Sequence, residues 1–103
     1  MLNRRFQLYL PYPLIDGMGA RPKTLTRTLE DLRKRFPRSL LWFTGVENAH
    51  LSSDGISPES SMLVIDVEDS TANYQFFREF KRALADRFGQ IEIYVVSHPI
   101  EIV

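Results

Sequence analysis

The residues best suited to hold an anion lie between Asp16 and Lys23, in the order Asp-Gly-Met-Gly-Ala-Arg-Pro-Lys. Glycine has no Cβ, so Gly17 and Gly19 would let backbone N–H groups come close to a phosphate or carboxylate. Arg21 and Lys23 add charge, and a helix expected to start just beyond them adds the partial positive charge of its N-terminus. The spacing matches neither a P-loop nor a dinucleotide fingerprint, because Pro22 stands where a third glycine would be needed. A plain surface connection is the competing reading of the same residues.

Three acids follow a strongly apolar run: Asp66, Glu68 and Asp69. Asp66 and Glu68 would share a face of an extended strand and could hold a hard cation. Acids just ahead of a helix are also favoured by its dipole alone, and no carboxylate recurs at a metal-loop spacing, so a structural role is expected and no metal site is assigned. His50 and His98 are the two histidines, each at the end of an expected strand. Either could carry a proton near neutral pH, but neither has a neighbouring serine or carboxylate that would suggest a triad. The chain has no cysteine, which removes disulfides, thiolate metal sites, iron–sulfur clusters and cysteine nucleophiles together. No catalytic residue and no cofactor is assigned.

The elements that must position these residues follow from periodicity. Phe6-Gln7-Leu8-Tyr9-Leu10 alternates with period two, a half-buried strand ended by Pro11 and Pro13. Leu25, Leu29, Leu32 and Phe36 form one helical stripe, with Thr24 expected as N-cap, Glu30–Lys34 and Asp31–Arg35 as i,i+4 pairs, and Pro37 as the stop. Leu40 to Thr44 reads as a second strand, with Gly45 able to bend it, and Ser52 to Ser61 as the exposed tip of a hairpin. Met62 to Val67 is a third strand, apolar enough to be central. Ser70 or Thr71 caps a second helix with the stripe Tyr74, Phe77, Phe80, Leu84 and Phe88, ended by Gly89. Ile91 to Val96 alternates as a fourth strand that Pro99 is expected to end.

At 103 residues this is the size of a single domain spanning 1–103. The βαββαβ order, with one apolar stripe per helix, predicts an α+β sandwich of the split β-α-β, ferredoxin-like kind. Right-handed crossovers then put the first and third strands at the centre of a four-stranded antiparallel sheet with both helices on one face. The opposite face should carry Gln7, Tyr9, Met62, Val64, Asp66, Glu92, Tyr94 and Val96. Of these, Tyr9, Met62, Val64, Tyr94 and Val96 are the expected interface residues, because together they could form a patch large enough to drive association.

Thirteen basic and thirteen acidic side chains cancel, so no global field draws the chain to nucleic acid or an anionic membrane. RNA-binding domains of this topology stack bases on aromatics of the first and third strands, and Met62 to Val67 has none. No leader pattern follows Arg4-Arg5 and no run approaches a membrane span, so a cytoplasmic location is expected.

The first helix ends in Arg35-Phe36-Pro37, and Arg87-Phe88-Gly89-Gln90 closes the other. This pairing resembles the helix ends of small uncharacterised bacterial families of ferredoxin-like domains. That resemblance implies the fold and no activity, since those families have none agreed. The leading expectation is a non-enzymatic binding or regulatory module that forms a homodimer through its sheet. One alternative is a small enzyme of the dimeric α+β barrel type, with Trp42, Phe77 and Phe80 lining a pocket between helices and sheet. Another is an anion- or nucleotide-binding domain using the loop 17–23.

Overall fold

The structure is a computed structural model, and it describes residues 2–10, 23–47, 59–89 and 92–103. Six elements follow one another: β1 (Asn3–Leu10), α1 (Lys23–Arg35), β2 (Leu41–Glu47), β3 (Glu59–Glu68), α2 (Thr71–Arg87) and β4 (Tyr94–Ile100). The four strands form one sheet in the order β2-β3-β1-β4, and every neighbouring pair is antiparallel. The first and third strands are therefore central, as the expected crossovers require, and β2 and β4 are the edges. This is an α+β protein.

Alternation decides what each strand buries. Phe6, Leu8 and Leu10 of β1 and Leu63, Ile65 and Val67 of β3 join a single core with Leu25, Leu29, Leu32 and Phe36, and with Phe77, Phe80, Leu84 and Phe88. Both helical stripes thus meet the same face of the sheet. An aromatic cluster fills the space near α2. Phe6 stacks on Phe77 at 4.1 Å between ring centroids, Phe36 stacks on Phe77 at 5.5 Å, and Phe76 stacks on Phe80 at 5.3 Å. Tyr74 is the exception in its stripe, since it stays largely exposed at the margin of the core.

The helix ends follow local chemistry. The Ser70 side chain accepts the Asn73 amide at 3.1 Å, satisfying one of the donors that a helix start leaves open. Gly89 adopts φ +85°, a left-handed conformation that side chains resist, and so stops α2. At the other helix, α1 begins at Lys23, so Thr24 is not its cap. Thr24 lies inside the first turn, and its carbonyl accepts the Thr28 hydroxyl at 2.8 Å.

Neither expected i,i+4 ion pair of α1 forms among the described residues. Asp31 instead accepts Arg87 Nη2 at 2.8 Å, while Arg87 Nη1 donates to the buried Thr28 hydroxyl at 3.0 Å. The end of α2 is thereby clamped to the middle of α1. Arg35 lies over the rings of Phe36 and Phe76, at 4.8 and 5.4 Å from their centroids. A flat guanidinium over an aromatic face gains cation–π attraction that a solvated ion pair would not supply.

All four strands differ in their bounds from the sequence expectation, β1 by starting at Asn3 and β2 by running from Leu41 to Glu47. β3 starts at Glu59, inside the stretch read as hairpin tip, and its pairing with β2 continues through Gly45 opposite Ser61 to Glu47 opposite Glu59. Gly45 therefore does not interrupt the ladder. Pro99 does not end β4 but lies within it, opposite Arg4. A proline is tolerated there because β4 is an edge strand, where the missing N–H need not serve a second neighbour. The strand begins at Tyr94, after a buried Ile93.

Candidate functional site

The sheet face away from the helices is built in cross-strand rows that the pairing registers define. One row runs Thr44, Met62, Tyr9, Tyr94. The next runs Trp42, Val64, Gln7, Val96, and beyond it Asp66, Arg5 and His98 lie side by side. All five expected interface residues are on this face, in two adjacent rows. Their exposure differs widely. Val64 is 1% exposed, Tyr9, Met62 and Val96 are half-buried, and Tyr94 is 64% exposed. The Tyr9 and Tyr94 rings meet edge to face at 5.5 Å.

At Val64 the face is closed to solvent. Arg5 reaches across from β1, donates Nε and Nη2 to the two carboxylate oxygens of Asp66 at 2.8 and 3.0 Å, and lays its guanidinium over the Trp42 ring at 4.7 Å. Asp66 is largely shielded in this fork while Arg5 keeps about a third of its side chain in contact with solvent, 33%. The two-point geometry matches a carboxylate to a guanidinium better than a point charge could. The hydrogen bond that Arg5 donates to Asp66 raises the Arg5 pKa above its already high ordinary value; desolvation opposes this and the charge of Asp66 adds to it. Arg5 is thus a fixed cation whose charge is cancelled within the face.

The other arginine of the N-terminal pair does the same on a smaller scale. Arg4 Nε donates to Asp69 at 3.0 Å, and Arg4 Nη1 donates to the Ser97 hydroxyl at 3.1 Å. Two of the three acids that could have held a cation are therefore occupied by arginines, and Glu68 is exposed. Among the described residues no cluster of three acid, histidine or cysteine side chains is placed to hold a metal.

Trp42 is a correction to the sequence reading. It lies opposite Val64 under Arg5, on the open face, whereas Phe77 and Phe80 are buried in the core on the other side of the sheet. The three do not line one pocket. Alternation along Leu41-Trp42 explains it: Leu41 packs against the core, which turns the next side chain outward.

Gly17, Gly19 and Arg21 lie outside the described residues, as does His50. Lys23, the last of the proposed anion-binding residues, is the exposed first residue of α1. His98 is exposed on edge strand β4, opposite Arg5. Arg5 is the residue that sequence reasoning missed. Its place in the alternation with Gln7 and Tyr9 puts it on the open face, but only the register brings Asp66 opposite. Among the described residues no helix is long and apolar enough to cross a membrane. Comparison with protein-family models, with curated proteins and with solved structures finds no match.

Proposed function

We propose that this chain is a non-enzymatic binding or regulatory module, built on a ferredoxin-like split β-α-β sandwich, that self-associates as a homodimer through the open face of its sheet. The central placement of β1 and β3 supports the fold assignment. The observation that carries the functional reading is Tyr94, which is 64% exposed beside Tyr9, Met62 and Val96 on the face opposite both described helices.

A tyrosine pair of this kind offers large apolar area with a polar tip, a combination favoured where a surface is dry on association and wet alone. The internal Arg5–Asp66 pair matters as well. Because its charges cancel, two copies of the face can meet without like-charge repulsion, and a two-fold arrangement needs a surface compatible with itself. The tail residues Glu101, Ile102 and Val103 are exposed rather than folded over this face.

Sedimentation velocity across a wide concentration range tests the reading. A reversible monomer–dimer equilibrium is expected, and Tyr94→Lys with Val96→Lys should move it to monomer by burying ammonium groups against each other. The far-UV circular dichroism of the dilute variant should match that of the parent. A parent chain that stays strictly monomeric at high concentration overturns the proposal.

A further inference from the structure

A second concavity lies on the other side of the sheet, where α2 passes edge strand β4. It encloses about 330 Å³, towards the small end of ligand pockets, which run from roughly 300 to 1,000 Å³. Its apolar lining comes from Tyr74 and Val95 with the edges of the buried Phe6 and Phe77 rings, and its α2 wall carries Arg78, Lys81 and Arg82. Ser97 belongs to the lining too.

Three cations line one wall of this groove. Arg4, Arg5 and Arg87 each hold an acid at 3.0 Å or closer. Among the described residues, Arg78, Lys81 and Arg82 form neither an ion pair nor a side-chain hydrogen bond. Asp86, one turn beyond Arg82, does not pair with it, and Glu79 is engaged by Gln75 at 3.3 Å. Positions 78, 81 and 82 share one helix face, so their like charges repel, and that repulsion is relieved when an anion arrives. Ser97 is a prepared donor. Its oxygen accepts Arg4 Nη1 at 3.1 Å, which leaves the hydroxyl hydrogen free to point elsewhere.

We propose that this groove binds a small amphipathic organic anion, a single carboxylate or phosphate head on an apolar body about the size of one ring. The body lies against Tyr74 and Val95, over the edges of Phe6 and Phe77, and the head meets Arg78, Arg82 and Lys81, within reach of the Ser97 hydroxyl. An apolar floor beside unpaired cations selects for both properties at once: a bare inorganic anion leaves the floor wet, and a neutral hydrocarbon leaves the cations unpaired.

Nitrogen-15 amide shift mapping of the full chain tests this with phenyl phosphate, 3-phenylpropionate and the uncharged 3-phenylpropanol. Both anions should shift amides of 74–82 and 95–97, and their relative affinities distinguish a phosphate from a carboxylate preference. The alcohol should shift them far less. Arg78→Gln with Arg82→Gln should weaken both anions by about tenfold or more, while Arg27→Gln on α1 leaves them unchanged. The anion–alcohol contrast needs no variant, so a folding defect in the double substitution does not protect the proposal. No shifts at millimolar probe, an equal response to the alcohol, an unweakened double variant, or shifts centred on Tyr9 and Tyr94 would each overturn it.

Discussion

The two faces of this sheet are made by the same strands and reach opposite outcomes. On the helix side, Phe6, Leu8, Leu63 and Ile65 are buried against α1 and α2, and Phe36, Phe76 and Phe80 close the space around Phe77. On the other side Val64 reaches 1% exposure beside Trp42, over whose ring Arg5 lies, but two residues along the strand and across to the edge Tyr94 is 64% exposed.

The contrast is most exposed to challenge on the covered side. Phe77→Ala removes a ring that touches Phe6, Phe36, Phe76 and Phe80 and should cost about 3–5 kcal/mol of stability in urea denaturation. The loss should be the same at low and high protein concentration. A loss under about 1 kcal/mol would mean that this core is not close-packed.

On the open face, Asp66→Ala should cost about 1–3 kcal/mol, because it strips two charge-assisted bonds and leaves Arg5 unpaired beside Trp42. Arg5→Ala and Asp66→Ala together should cost less than the sum of the two, the signature of a coupled pair. The sign of the pH dependence follows from the raised Arg5 pKa. A raised cation stabilises the fold at every pH below its unfolded value and loses that contribution only as pH climbs through the folded one. The Arg5 contribution is therefore constant across the neutral range and fades only in strong alkali. A fading of the Asp66→Ala penalty between neutral and mildly alkaline pH would contradict the pairing.

The smallest effect belongs to Tyr94. With 64% of its surface already in water, Tyr94→Ala should change the stability of dilute protein by no more than about 0.5 kcal/mol. Its influence should appear in sedimentation instead. A large stability loss in the dilute monomer would make Tyr94 part of the core and erase the contrast between the faces.

Much of this architecture was legible in local pattern. The stripe Leu25, Leu29, Leu32, Phe36 is buried as its spacing predicts, and Ser70 and Gly89 bound α2 as their chemistry predicts. The alternation in β1 and β3 correctly assigned Tyr9, Met62 and Val64 to one face. These features succeed because periodicity and capping depend on residues within a turn or two of each other. The same local rules misplaced Thr24, which lies within α1 and offers its backbone carbonyl to the Thr28 hydroxyl. They also misjudged Pro99, since whether a proline breaks a strand depends on whether that strand has a second neighbour.

Local sequence thus set the order of the elements and which stripe each helix buries. The pairings between elements were decided by tertiary packing alone. Arg5 meets Asp66 across 61 residues of chain, and Arg87 meets Asp31 across 56. The same long-range packing sets α2 beside β4, gathering Phe6, Phe77, Val95 and Ser97 next to three unpaired cations. No short-range pattern specifies such encounters, because an arginine can satisfy any acid it reaches. Which acid it reaches is fixed by strand register and helix packing, which minimise the free energy of the whole chain at once.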